Sequence, residues 1–163
     1  MYKKKAFIGL CCLLLSYTVQ ANRPLYCKVV SISDGDTLSC LLKNNKLIRV
    51  RLAGIDAPEK NQAFGQKAKQ FLGKLVHKQQ VKLVVAGYDH YQRTLAEVYT
   101  LQGQNINLAM VNAGMAWVYE KYNTKPIYLQ AQHKAKQQNL GLWQEHHPIP
   151  PAQWRNKQKR ISQ

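Results

Sequence analysis

Four of the eight acidic residues in this 163-residue chain fall in one short window: Asp34, Asp36, Asp56 and Glu59. The same window holds Arg49 and Arg51, in a chain with 24 Lys and Arg. Asp36 sits in Ser33–Cys40 (SDGDTLSC), one residue beyond Asp34-Gly35. Asp-Gly between alternating hydrophobics is a strong hairpin signal, so it accounts for Asp34 and Gly35 as a turn. It does not account for Asp36. Two carboxylates brought together in a basic protein repel unless a cation lies between them. Calcium and magnesium take hard oxygen ligands of this kind.

Whether Asp36 meets Asp56 depends on the elements that carry them. Leu25–Ile32 (LYCKVVSI) is rich in β-formers, Thr37–Leu42 follows the Asp-Gly turn, and Leu47–Ala53 alternates apolar and basic residues. These are three strands of a meander. With a turn at 43–46, the start of strand two lies beside the end of strand three. Asp36 and Asp56 are thereby expected to converge. Apolar residues at helical spacing predict an amphipathic helix over 64–78. Val81–Ala86 and Thr94–Thr100 read as strands four and five. Asn105–Ala113 reads as a short helix with an Asn cap, Trp117–Tyr119 as extended, and Pro126–Asn139 as a third helix closed by Gly141. The expected fold class is α+β: a five-stranded OB-fold β-barrel with about three packed α-helices, an architecture that commonly binds oligonucleotides.

Length fits one domain. MYKKK, then the apolar Ala6–Tyr17, then Val19-Gln20-Ala21 read as a secretory signal peptide over residues 1–21, too short to span a membrane. The body is expected over 22–145, with a basic, Pro-containing tail over 146–163 ordered only in part. The expected location is secreted or periplasmic, with no membrane contact after signal removal. The charge stays strongly positive without Lys3, Lys4 and Lys5, which implies a polyanionic partner, nucleic acid first. Cys11 and Cys12 leave with the signal. Cys27 and Cys40 flank the Asp-Gly turn and are either a disulfide or two buried thiols; export favours the disulfide. His146-His147, in a polar tail, is assigned no role.

The motifs SDGDT, RVRLAG-IDAPE, YQRTLAEVY, NLAMVNAGMAWVY and LGLW occur in the order and spacing of the thermonuclease (staphylococcal-nuclease-like) family, which this chain resembles over about residues 25–143. The resemblance implies a calcium (Ca2+) site formed by Asp36, Asp56 and the backbone carbonyl at Ala57, with Mg2+ or Mn2+ as further candidates. Ala57 stands where the best-known member has Thr, a change that a carbonyl ligand tolerates. It implies Glu59 as the group that orients or deprotonates the attacking water, and Arg51 and Arg93 as phosphate-neutralising arginines. Tyr91 and Tyr119 are implied at the substrate, Tyr122 is a further aromatic there, and Asp34 shapes the metal site through water. The implied reaction is hydrolysis of DNA and RNA by a monomer with little sequence preference, leaving 3′-phosphate ends. The roles suit the chemistry: arginine forks match phosphate oxygens, and a carboxylate beside water acts as base.

Simpler readings compete. Pro58-Glu59 alone would equally open a helix, where acids are favoured. Arg49 reads as a solvated strand residue. The loop after Glu59 (KNQAFG) is shorter than in the best-known member. A non-catalytic nucleic-acid-binding barrel is the rival from another class, and a basic surface-adhesion protein is a third reading.

Overall fold

The computed structural model describes residues 24–123 and 125–161; the expected signal peptide lies outside them. Five strands close a barrel in the order β1-β2-β3-β6-β5. They are β1 (Leu25–Ile32), β2 (Thr37–Leu42), β3 (Leu47–Leu52), β5 (Gln80–Tyr88) and β6 (Thr94–Thr100). All neighbours run antiparallel except β3 and β6, whose parallel pairing closes the barrel. Inward-facing residues fill it: Val29, Leu38, Val50, Leu52, Val81, Leu83, Ala96 and Val98 are fully buried. This is the alternation that the strands' sequences carry.

Helix α1 (Gly65–Val76) lays Ala68, Leu72 and Val76 on this core. Helices α2 (Ile106–Asn112) and α3 (Pro126–Gln137) add Ile106, Met110, Val111, Tyr128 and Ala131. Asn105 caps α2 by accepting from Leu108 N–H. Two further elements are absent from the sequence expectation. A two-residue strand β4 (Ile55–Asp56) pairs with β7 (Trp117–Val118). A fourth helix, α4 (Pro151–Ile161), occupies what reads in sequence as a polar tail. Pro151 stands at its first position, where the missing N–H costs nothing. Among the described residues there are thus four α-helices rather than about three. Among the described residues no helix is long and apolar enough to cross a membrane.

The Asp-Gly segment turns for a different reason from the one its sequence suggests. Gly35 does not have a positive φ. A Cβ there would lie 2.6 Å from Ala68 Cβ and 2.7 Å from Ala57 Cβ. Glycine is needed so that the loop can press against α1 and the segment after β4. The turn itself is held by Asp34, whose Oδ1 accepts from Asp36 N–H at 3.1 Å.

Cys27 and Cys40 are joined by a disulfide between β1 and β2, with Cα atoms 5.6 Å apart and a sequence separation of 13. Closing a loop of this size stabilises by about 3 kcal/mol in the chain-entropy model. Reduction is expected to lower the melting temperature by roughly 6–12 °C. Thermal melts with and without reductant, with mass spectrometry of alkylated protein, check this. An unchanged melt with both thiols labelled would contradict it.

Candidate active site

The register of the meander builds the centre of the site. Thr37 at the start of β2 pairs with Arg51 near the end of β3. Leu52 N–H donates to Asp36 O at 2.8 Å, which fixes Asp36 beside β3. Asp36 is buried, and its carboxylate accepts from Thr37 Oγ1 at 3.1 Å and from Ala57 N–H at 2.7 Å. Asp56 is equally buried on β4.

Arg51 ties the two together. Its Nη2 lies 3.0 Å from Asp36 Oδ2 and 2.9 Å from Asp56 Oδ1. Its Nη1 donates to the carbonyls of Leu52 (3.0 Å) and Ile55 (2.9 Å). One cationic nitrogen thus stands between the two carboxylates, as the convergence argument requires. Burial still dominates at Asp36. It pushes the carboxyl up to about 7, against the pull of Arg51 and with a further push from Asp34.

The donor set fits a hard cation. Asp36 and Asp56 supply carboxylate oxygens that face one positive atom, and Ala57 is buried against Asp36. Among the described residues no group of three or more His, Cys, Asp and Glu side chains forms a metal cluster. Asp36 and Asp56 are the side chains at this point that could take a hard cation.

Glu59 lies in the loop between β4 and α1. The helix begins only at Gly65, so Glu59 is not a helix-opening acid. Glu59 N–H donates to Gln62 Oε1 at 3.1 Å, and Gln62 N–H returns to Glu59 O at 2.9 Å. A Cβ at Gly65 would sit 1.8 Å from Glu59 O, so glycine there lets the loop fold under the site. The Glu59 side chain stays about one-third exposed (35 %).

Arg93 stands one hydroxyl away from this group. Its Nη1 lies 3.4 Å from Thr37 Oγ1, which itself donates to Asp36. Its main partner is Asp89, which accepts from Arg93 Nε at 2.7 Å and from the N–H groups of Arg93 and Tyr91, each at 2.9 Å. The Asp89 carboxyl titrates below its usual range: burial opposes this, but the bonds from Arg93 outweigh it. Tyr91 is exposed and lies under the Arg93 guanidinium at 5.4 Å. Tyr119 follows β7, packs edge-on against Tyr122 and bonds through its backbone N–H to Gly54 O. Arg49 is on the exposed face of β3, as its solvated reading expects.

Two residues of the site escape the sequence reading. Asp89 aims Arg93; an Asp that opens a turn four residues before an Arg was the available signal. Arg155, on α4, reaches the centre itself. Its Nη2 lies 3.0 Å from Asp56 Oδ2, and its Nη1 lies 2.6 Å from Glu59 Oε1 and 3.3 Å from Asp56 Oδ1. Nothing local in the sequence marks it.

Comparison with known proteins places the chain in a family. The family described as "Staphylococcal nuclease homologue" matches residues 49–145, the stretch that carries Arg51, Asp56, Glu59 and Arg93. An endonuclease of Haemophilus influenzae, named as uncharacterized, is 57% identical over 150 residues, 90% of this chain and 84% of that protein. A Shigella flexneri protein named "Micrococcal nuclease" is 43% identical over 143 residues, 81% of each chain. An Escherichia coli O157:H7 protein, also named an uncharacterized endonuclease, is 42% identical over 130 residues, 80% of this chain and 84% of that protein. With the barrel, the acidic pair around Arg51 and matches of this length, the chain belongs to the staphylococcal nuclease homologue family.

Proposed function

We propose that this protein is an exported, calcium-dependent endonuclease that hydrolyses DNA and RNA with little sequence preference and leaves 3′-phosphate ends. The observation that carries the reading is the single cationic nitrogen held between Asp36 Oδ2 and Asp56 Oδ1. A binding module has no use for two buried carboxylates that face one cationic nitrogen. Asp36, Asp56 and the carbonyl of Ala57 would hold the cation. Bound there, a calcium ion supplies charge neutralisation to the phosphate under attack.

The chain's own residues do the rest. Glu59 takes the proton of the attacking water, with its backbone fixed by Gln62. Arg51 and Arg93 neutralise the charge that builds on the phosphate oxygens, and Asp89 holds Arg93 in place for it. Asp34 orders the turn that presents Asp36. Tyr91 and Tyr119 offer rings at the rim for bases, a sequence-tolerant contact. The disulfide supports an oxidising compartment, secreted or periplasmic. Every proposed group comes from one chain, so a monomer suffices.

Digestion of plasmid DNA and of RNA by the purified protein tests this, with calcium, with magnesium and with chelator, beside an Asp36→Ala/Glu59→Gln control. Cleavage is expected only with metal and only in the unaltered protein. Salt-sensitive binding without cleavage under any metal would replace the reading with a nucleic-acid-binding barrel.

A further inference from the structure

We propose that Arg155 is a third phosphate-contacting arginine of this site, delivered by α4 from beyond residues 49–145. The proposal rests on the nuclease reading for its catalytic half; its binding half stands by itself.

Four observations carry it. The first is convergence. Arg51 Nη2 and Arg155 Nη1 both approach Asp56 Oδ1, at 2.9 and 3.3 Å. A phosphate within reach of one guanidinium at this oxygen is within reach of the other. The second is capacity. Arg51 already serves two carbonyls and two carboxylates with its terminal nitrogens, and only 13% of its side chain is exposed. Arg155 leaves 40% of its side chain open to solvent, at the rim where a polyanion must arrive.

The third is that α4 is seated by contacts of its own. Pro151 is buried. Gln62 Nε2 donates to Ile149 O at 2.6 Å, and Trp154 Nε1 lies 3.4 Å from Asn61 Oδ1. Trp154 also shares a small cleft with Pro58, Phe64, Trp117 and Leu142. Because these contacts do not involve the ion pairs, the helix holds Arg155 over the site whatever the guanidinium is bonded to. The fourth is chemical. Arg155 grips carboxylate oxygens on Asp56 and Glu59 with two terminal nitrogens, and the same fork fits two phosphate oxygens. An arginine stays charged at every working pH.

The consequence is an exchange of partners. In the free protein Arg155 covers Glu59 and offsets the negative charge that would repel a polyanion. When a phosphate arrives, the guanidinium turns from Glu59 Oε1 to a phosphate oxygen. That movement leaves the Glu59 carboxylate to a water molecule and adds one positive contact to the substrate.

The test compares the unaltered protein with Arg155→Ala and Arg155→Lys. Binding of a fluorescent single-stranded phosphorothioate oligonucleotide is measured by anisotropy in chelator across a salt series. Turnover of unmodified DNA is measured with metal, and melting curves confirm folding. Losing one phosphate contact should reduce the slope of log K against log salt by about 0.7. Arg155→Ala should bind about tenfold more weakly at low salt and show kcat reduced at least tenfold. Arg155→Lys should keep the slope but not kcat, because a point charge replaces a fork. An unchanged slope in Arg155→Ala would overturn the proposal. So would faster cleavage than in the unaltered protein, which would make α4 a cover over the site. If the unaltered protein binds but does not cleave, the nuclease reading fails, and the salt slope still decides Arg155.

Discussion

Replacing Glu59 by Gln is expected to lower kcat by about 10²–10⁴-fold while DNA binding in chelator stays close to that of the unaltered protein. That fall corresponds to roughly 3–5 kcal/mol of barrier. The two effects separate because of how Glu59 is held. Its N–H and carbonyl are tied to Gln62, and Gly65 allows the loop to close beneath its carbonyl. None of these contacts uses the carboxylate. Glutamine therefore keeps the shape and loses the basic oxygen. The ion pair with Arg155 is lost too, but both groups are partly open to solvent, so little stability goes with it. Removing that negative charge also frees Arg155 for phosphate, so binding should not weaken. Single-turnover cleavage beside anisotropy binding makes the comparison. Turnover near that of the unaltered protein would show that another group takes the proton.

What could be read in the sequence follows from the range of each signal. The pairing of Thr37 with Arg51 comes from two alternating strands and a turn, all within 20 residues, and so does the meeting of Asp36 with Arg51. Pattern fails where the cause is distant. Asp34-Gly35 looks like a hairpin turn that needs a positive φ, yet Gly35 is there to clear Ala57 and Ala68, which no local rule can supply. Ile55–Asp56 is too short to show a period; it becomes a strand because Trp117–Val118 lies alongside. Helix α4 offers only Pro151 and one aromatic as local signals. Its value to the site lies in contacts from Arg155 back to Asp56, 99 residues away. The barrel is thus local in origin, and the rim of the site is not.

Arg51→Ala is expected to combine a loss of stability of about 3–5 kcal/mol with a fall in kcat of about 10²–10³-fold. The stability loss arises because Asp36 stays buried after its cation is gone, Asp56 is left to Arg155, and the carbonyls of Leu52 and Ile55 lose their donor. Breaking a buried pair from one side leaves an uncompensated charge, which costs more than the pair was worth. Arg51→Lys keeps one charge but cannot span four acceptors, so it should recover part of the stability and little of the activity. The informative comparison is the calcium-dependent rise in melting temperature. If the aspartates form a cation site, calcium should stabilise Arg51→Ala more than the unaltered protein, since it answers a larger charge deficit between the same two oxygens. Melting curves over a calcium series read this without any nuclease assay. A calcium shift absent from both proteins would mean that the acidic pair exists for Arg51 alone, and the metal would have to be sought elsewhere or given up. A larger shift in the variant would place arginine and cation in one electrostatic role, with Arg51 supporting the carboxylates until a metal and a phosphate arrive together.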